Sequence, residues 1–498
     1  MDPRGWSLRL RLAAAILSGL ALTTAFPPFD AGVVAYLALV PLALALRGTS
    51  GPKGGLVAAV FAFTFFGLLL RWIFVFGALA WSALALAHAI YFVPVGVGAA
   101  LLGRRGWLGR VLGLPLLWAG FEVLRARWPL GGLSWGDLGY SQVDGSGAAW
   151  ARIGGVFFLG AVVVLVNALV SELLAGERRI GAAAGAVGLV VLPAFLPLGL
   201  AGPLVGEGDV AAVQGNVPRD RFSGFGRGGR VGPEDTVIVD NHLRVTEQLA
   251  GAEPPDLIVW PENALDRDPR RNPEIFAPIV RQVERIGAPL LVGAILDEGS
   301  SFTNSNLVVQ PDGRVTGRYD KIHLVPFGEY VPWDFVRRIN PVLASEVPVD
   351  GRAGERLTVF PIGDMRVGSV ICFESTYPHL ARNLVRSGAE VIVVTTNNAS
   401  YGTSPAAAQH LAMSRMRAVE NGRAVVHAAI SGESAIIDPN GRVRAHAGLF
   451  EPALLRGTVP LAAGRTPYAR FGAWIEAALV IAGLGALGRG IAGRRDAA

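Results

Sequence analysis

Val367-Gly368-Ser369-Val370-Ile371-Cys372-Phe373-Glu374-Ser375 reads as an apolar strand that delivers the only thiol of a 498-residue chain to a turn. A stretch of helical period, residues 377–387, follows at once. Backbone N–H groups at a helix start favour a thiolate and can hold an oxyanion. Two readings of Cys372 stand side by side: inert core filling, or a reactive nucleophile. A lone cysteine cannot form an intrachain disulfide. A free thiol of pKa about 8.5 is only a few per cent ionised at pH 7, so a nucleophilic Cys372 needs a carboxylate base and an ammonium beside it.

Outward from this strand the pattern repeats. Short β-rich runs at residues 209–214, 256–260, 289–294, 306–310, 367–372, 390–395 and 435–438 alternate with helical periods at 234–249, 273–286, 377–387 and 406–420. That alternation is the mark of a layered α/β domain. Pro311-Asp312-Gly313-Arg314 and Asp438-Pro439-Asn440-Gly441 read as hairpin turns. Leu411, Met413, Met416 and Val419 give the helix at 406–420 a core face. Residues 218–232, rich in Gly and Arg, have no Walker or dinucleotide spacing and read as a loop, whose Arg219, Arg221, Arg227 and Arg230 have the charge to meet anionic headgroups.

Two further elements can supply what Cys372 needs. Leu257-Ile258-Val259-Trp260-Pro261-Glu262 is an apolar strand in which the proline is expected to stop the ladder, placing a carboxylate at the strand end where α/β sites are built. The bland alternative is a solvated loop glutamate. Tyr319-Asp320-Lys321-Ile322-His323-Leu324-Val325-Pro326-Phe327-Gly328-Glu329-Tyr330 carries one of only two lysines among 45 basic residues, the other being Lys53. A lysine in an arginine-using chain suggests a compact charge with a tunable pKa, although codon bias also spares the odd lysine.

The rest of the chain is different in kind. Hydrophobic residues make up 51% and charged residues 17% of the whole, with a mean hydropathy of +0.43. That balance excludes a wholly soluble, disordered or collagen-like protein. Apolar runs at residues 11–26, 32–46, 55–76, 80–102, 107–124, 154–174, 180–201 and 472–487 predict about eight spans. Residues 1–205 thus read as a membrane domain, 206–466 as a polar domain, and 467–498 as a last span with a short tail. The net charge of +6 does not point to nucleic acid, because the arginines fall in clusters between apolar runs. Arg4, Arg9, Arg11, Arg47, Lys53, Arg104, Arg105, Arg110, Arg178, Arg179, Arg489, Arg494 and Arg495 fall on one side, and Arg71, Arg125, Arg127 and Arg152 oppose the bias. The positive-inside rule then sends the polar domain to the extracytoplasmic side. Between spans, residues 128–145 are too broken by Gly and Pro to span and too aromatic for a plain linker, which suggests an interfacial or re-entrant segment. Its Gly132-Leu133-Ser134-Trp135-Gly136 matches a nucleophile elbow only formally, without the strand-turn-helix context.

Taken in order, Trp260-Pro261-Glu262, the segment 320–330 and Ile371-Cys372-Phe373-Glu374-Ser375 resemble the nitrilase, or carbon-nitrogen hydrolase, superfamily with its Glu-Lys-Cys triad. With spans on both flanks and the segment 131–142, the chain resembles the bacterial apolipoprotein N-acyltransferases. The resemblance implies an α-β-β-α sandwich fused to a polytopic helical membrane domain. It implies Glu262 as general base, Lys321 as oxyanion stabiliser, Cys372 as the thioester-forming nucleophile and Glu329 as a second glutamate beside them. Phe373, where members often carry Tyr, and Glu374 match positions flanking the nucleophile. Asn398 and Tyr401 fall in a segment, 396–402, that aligns with a pattern commonly reading NDAWFG but departs from it, since Asn398 lacks the Asp neighbour and Tyr401 replaces an aromatic pair. The implied reaction moves an acyl chain from a membrane phospholipid to the α-amine of a diacylglyceryl-cysteine on an apolipoprotein, with no metal or organic cofactor, in a bacterial plasma membrane. A membrane-tethered amidase of the same superfamily and a lipid transport or binding protein are the competing readings; about eight spans argue against the first and the intact Glu262, Lys321 and Cys372 against the second.

Overall fold

A computed structural model describes residues 3–175, 179–195, 203–217, 234–339 and 347–495. The loop at 218–232 therefore lies outside the described residues, as do residues 340–346 of the stretch 331–350, whose Trp333, Phe335 and Val336 the sequence offers either as a candidate lid or as core. The chain divides into two compact units, Met1–Leu198 with Arg470–Ala498, and Gly199–Ala469.

In the first unit five helices among the described residues are long and apolar enough to cross a bilayer: Gly51–Leu69, Ala78–Gly103, Trp107–Arg125, Ser146–Ala175 and Pro467–Ala492. This is fewer than the about eight spans expected from apolar runs. The first run forms a helix of only 16 residues, Leu8–Thr23. The run at 32–46 breaks into Gly32–Val34, Ala35–Ala38 and Val40–Leu46, and that at 180–201 yields a 13-residue helix, Arg179–Val191. Pro27, Pro28, Pro41 and Pro193 stand at these breaks, where a proline has no N–H to continue a helix. Apolar surroundings require the freed backbone groups to find partners. Asn167 supplies them at the second break, accepting from Leu39 N at 2.9 Å and donating to Ala35 O at 2.8 Å.

The segment 128–145 forms turns and a short 3-10 helix, Leu138–Gln142, but no spanning helix, and Ser134, Trp135, Asp137, Leu138, Tyr140, Ser141 and Gln142 are buried. Irregular backbone is tolerated there because protein groups satisfy it. Arg125 donates to the carbonyls of Leu133 and Trp135 at 2.6 and 3.0 Å, and Gln142 to that of Gly32 at 2.8 Å. Ser134 Oγ lies 3.1 Å from the Tyr140 hydroxyl, inside this packed segment.

Among the described residues the second unit is built on twelve strands: β1 Leu204–Gln214, β2 Leu257–Leu265, β3 Leu290–Asp297, β4 Phe302–Val309, β5 Val315–Asp320, β6 Val359–Ile362, β7 Met365–Ile371, β8 Val391–Thr396, β9 Ala424–Ala429, β10 Ser434–Ile437, β11 Val443–Ala447 and β12 Ala453–Ala462. They form two six-stranded sheets, in orders β12-β1-β2-β3-β4-β5 and β11-β10-β9-β8-β7-β6. Alternation of side chains along each strand separates two apolar faces. Leu257 and Val259 of β2, Leu291 of β3, Val367 of β7 and Val391 of β8 share the core between the sheets. Ile258, Trp260 and Val292 instead pack with Ile279 and Val283 of the helix Pro273–Ile286. On the far side Val370, Ile392 and Val394 pack with Leu380, Leu384 and Leu411 from the helices Pro378–Arg386 and Ala406–Asn421. The layers therefore run α-β-β-α. Asn306 ties the sheets together, donating to Ser369 Oγ on β7 at 2.7 Å and accepting from Thr395 Oγ1 on β8 at 3.0 Å.

Candidate active site

The proline of the strand 257–262 does not end it. β2 runs on to Leu265, but its pairing with β3 shifts register between Trp260 and Leu265. Such a bulge bends a strand and re-aims the side chains it carries. Asn263 stands at φ 60° within it. The bulge presses against Gly293 of β3, where an added Cβ would meet Glu262 Cα and Pro261 O at 2.5 Å each. Glu262, 4% exposed, is thereby placed to accept from three donors: Lys321 Nζ at 3.1 Å, Asn304 Nδ2 at 2.7 Å, and the Asn397 backbone N–H at the end of β8 at 2.8 Å.

Lys321 follows β5 directly and is anchored by its own backbone, N–H to the Asn304 carbonyl at 2.8 Å. At 1% exposure its ammonium is held between Glu262 and, at 3.0 Å, Glu329. Burial alone disfavours the charge, but the two glutamates outweigh it and raise its pKa well above the ordinary lysine value. Glu329 is fixed in turn by Asn304 Nδ2 at 2.8 Å and the Val325 N–H at 2.7 Å. Asn304 thus holds both carboxylates with one amide group.

Cys372 begins the turn Cys372–Thr376 immediately after β7. It takes a left-handed conformation, φ 50°, which a residue with a Cβ adopts only when its surroundings impose it. β7, β8 and β9 are parallel neighbours, so Cys372 and the Thr396-Asn397 pair sit at carboxyl ends of adjacent parallel strands, where open α/β sheets bind ligands. Burial, then the charge of Glu262, pushes the thiol up to about 12, against Lys321, the Thr396 hydroxyl and the Asn397 N–H, which draw it down. At rest the sulfur is protonated. The same charges reach the Tyr401 hydroxyl, whose pKa is raised first by burial and then by Cys372.

The other residues singled out in the sequence fall in different places. Glu374 is fully buried and accepts from the N–H groups of Ile322, His323 and Ile371 at 2.7, 3.1 and 2.8 Å and from the Tyr319 hydroxyl at 2.8 Å. It ties the turn after β5 to the turn after β7. Phe373 packs edge-on against Tyr377, ring centroids 5.3 Å apart. Asn398 is buried, bonded to Thr396 and His410. Trp333 and Phe335 of the segment 331–350 are about half exposed at 47% and 56%. Asn304, Thr396, Asn397 and His410 were not anticipated from sequence. The signal for Asn304 is weak: Thr303-Asn304-Ser305-Asn306 is a polar run that goes against strand propensity, yet it forms half of the strand Phe302–Val309. Among the described residues no three His, Cys, Asp or Glu side chains are grouped to hold a metal ion.

Residues 209–466, which carry the thiol, the carboxylate and the ammonium on an α-β-β-α sandwich, match the family described as Carbon-nitrogen hydrolase. Residues 18–169 match the Apolipoprotein N-acyltransferase N-terminal domain. The chain is 32% identical to an apolipoprotein N-acyltransferase of Geobacter metallireducens, over 94% of each chain. It is 34% identical to one of Mycolicibacterium smegmatis, over 96% of this chain and 84% of that one. A solved carbon-nitrogen hydrolase superfamily protein from Xanthomonas campestris aligns with 51% of this chain and 91% of its own at 20% identity and a TM-score of 0.39. The chain belongs to the apolipoprotein N-acyltransferase family.

Proposed function

We propose that Cys372, Glu262 and Lys321 carry out a ping-pong acyl transfer from a membrane phospholipid to the N-terminal amine of a diacylglyceryl-cysteine on an apolipoprotein. The observation that carries this is the buried Lys321 ammonium fixed between Glu262 and Glu329, with the chain's only thiol inside the same set of charges.

In the first half-reaction Glu262 takes the thiol proton as Cys372 Sγ bonds to the ester carbonyl carbon. Lys321 stabilises the oxyanion. The carbon–oxygen ester bond breaks, the proton passes from Glu262 to the departing lysophospholipid hydroxyl, and a thioester remains. In the second half-reaction the acceptor amine attacks the thioester, Glu262 takes an amine proton, the carbon–sulfur bond breaks, and the proton returns to sulfur. The product is an amide. Glu329, Asn304 and the Asn397 N–H act by fixing Glu262 and Lys321. Phe373, Glu374, Asn398 and Tyr401 shape the walls and the turn of the nucleophile.

The half-exposed rings of Phe327, Trp333 and Phe335, in contact in that order, suit a mouth fed by lipid. The arginine bias along the first unit supports a multi-pass plasma-membrane protein with residues 206–466 on the extracytoplasmic side. The test is the intact mass of the purified chain after incubation with phosphatidylethanolamine and no acceptor, beside Cys372→Ala. A fatty-acyl increment on the wild type only, discharged by a diacylglyceryl peptide, supports the proposal. Release of free fatty acid or ammonia without that increment supports a hydrolase instead.

A further inference from the structure

We propose that His410 is a positioning residue for the nucleophile: its ring clamps the Cys372 carbonyl on one side and the end of β8 on the other, and so keeps Cys372 in its left-handed conformation. The inference rests on Cys372 being the nucleophile.

His410 lies on the helix Ala406–Asn421, 38 residues from Cys372, and is 1% exposed. Its Nε2 is 3.0 Å from the Cys372 carbonyl and 2.6 Å from Ser375 Oγ. A carbonyl only accepts, so Nε2 carries the proton and Nδ1 is the acceptor. Nδ1 faces Asn398 Nδ2 at 3.3 Å and Thr396 Oγ1 at 3.4 Å. Thr396 and the Asn397 N–H in turn touch the Cys372 thiol. One ring therefore bonds both to the backbone of the nucleophile and to the strand end that contacts its sulfur. A non-glycine residue at φ 50° persists only where its surroundings over-determine it. The bond to the Cys372 carbonyl comes from outside the local turn and acts on the backbone, where Thr396 and the Asn397 N–H act on the sulfur. The ring does this work uncharged: burial first, and Lys321 after it, hold its pKa down to about 4. The neighbouring His427, ring centroid 5.3 Å away, is likewise kept neutral by burial. A proton acceptor role for His410 toward substrate is not needed, because Glu262 is already in place.

Glutamine and asparagine separate the two halves of the clamp. The amide nitrogen of glutamine reaches the position of Nε2 and can still donate to the Cys372 carbonyl, whereas asparagine reaches only that of Nδ1. Three readouts are taken on the detergent-purified full chain: the single-turnover rate of thioester formation from phosphatidylethanolamine, KM for that lipid, and the thermal unfolding midpoint. His410→Asn is expected to slow thioester formation by on the order of 10²-fold with KM essentially unchanged, the signature of a misplaced reacting group. His410→Gln recovers to within about tenfold of wild type. Should His410→Asn fold poorly, Asn398→Ala loosens the ring from its other side and is expected to show a smaller loss of the same kind. Equal losses in the Gln and Asn variants, a rise in KM in place of a slower rate, or wild-type rates in both overturn the proposal. Cys372→Ala run in parallel keeps the two readings apart. Acyl loading of that variant removes the nucleophile assignment itself, whereas a dead Cys372→Ala with a fast His410→Asn removes only the clamp.

Discussion

Replacing Glu262 by glutamine is expected to make Cys372 more reactive toward a simple electrophile while abolishing its work on lipid. The resting thiol is pushed up to about 12, so at pH 7 about one part in 10⁵ is thiolate, against about one part in thirty for an unperturbed thiol. A thiolate of higher pKa is intrinsically the better nucleophile, with a Brønsted slope of about 0.4–0.5, which restores about 30-fold of that roughly 3,000-fold deficit. Wild-type Cys372 is therefore expected to react with iodoacetamide about 10²-fold more slowly than free cysteine. Glu262 is the second cause of the raised value, after burial. Its negative charge disfavours the thiolate, so removing it lowers the thiol pKa, by about 1–3 units for a charge in close range. After the Brønsted discount, alkylation accelerates by about 3- to 30-fold. Acyl loading from phosphatidylethanolamine falls by about 10²–10⁴, because the proton acceptor is gone. Both rates are read from intact-mass time courses between pH 7 and 10, and no second thiol interferes because the chain has one cysteine. Alkylation that is unchanged or slower in Glu262→Gln refutes the electrostatic contact between Glu262 and Cys372 on which the mechanism depends.

Lys321→Arg keeps the charge but is expected to lower acyl loading by at least about 10²-fold, since a planar fork does not fit a site 1% exposed between two carboxylates at 3.1 and 3.0 Å; wild-type loading removes Lys321 from the oxyanion role. Gly293→Ala puts a Cβ 2.5 Å from Glu262 Cα and is expected to destabilise the fold by about 1–3 kcal/mol and to reduce loading more than its change in melting temperature explains, as checked by parallel thermal unfolding and single-turnover assays. Stability is expected to fall on acidification: burial lowers the pKa of His242 and His410 to about 4 each and that of His427 well below the ordinary value. The unfolded chain takes up these protons first, near pH 6.5, so the contribution is complete above that pH and is lost as pH drops toward 4, on the order of 3 kcal/mol for His242 alone. His242→Gln is expected to flatten the decline in melting temperature between pH 7.5 and 5 relative to wild type.

The strands and helices legible in the sequence are those whose apolar pattern is uninterrupted. The helix at residues 273–286 is found as Pro273–Ile286 because Pro at its start and Gly287 past its end mark both termini. β4 was read as starting at residue 306, whereas it starts at Phe302. Thr303, Asn304 and Ser305 look like loop residues until their polar groups are seen to serve the site and Asp320. β6, β9 and β12 have no counterpart among the runs legible in the sequence, since Val359–Ile362 is short and carries Pro361 and Ala424–Ala429 resembles a continuation of the preceding helix, whereas β11 is implied only by the hairpin turn before it. The expectation that Pro261 ends its strand missed the bulge for a related reason: proline removes one ladder hydrogen bond, and the strand absorbs that loss by shifting register instead of stopping. Glu262, Lys321 and Cys372 were visible because each is rare in its context. Asn397 and His410 were not, since the first acts through its backbone and the second contacts a carbonyl 38 residues away.

In the proposed mechanism the charge balance of the site keeps the thiol protonated until an ester is present. With both glutamates as carboxylates, Glu262, Glu329 and the Lys321 ammonium sum to one negative charge in a buried space. Forming a free thiolate there without moving its proton to Glu262 adds a second negative charge, which burial and Glu262 resist. Attack on a carbonyl is different. The thiol proton neutralises Glu262 while the negative charge appears on the substrate oxygen, so the pocket's net charge stays the same and the charge moves only from one partner of Lys321 to another. In surroundings of low dielectric constant such an exchange needs little reorganisation, whereas creating net charge is costly. The arrangement therefore couples proton transfer to bond formation. Asn304 contributes by donating to Glu262 and Glu329 at once, which fixes both carboxylates around Lys321, the position from which the proposed mechanism has it exchange Glu262 for the oxyanion.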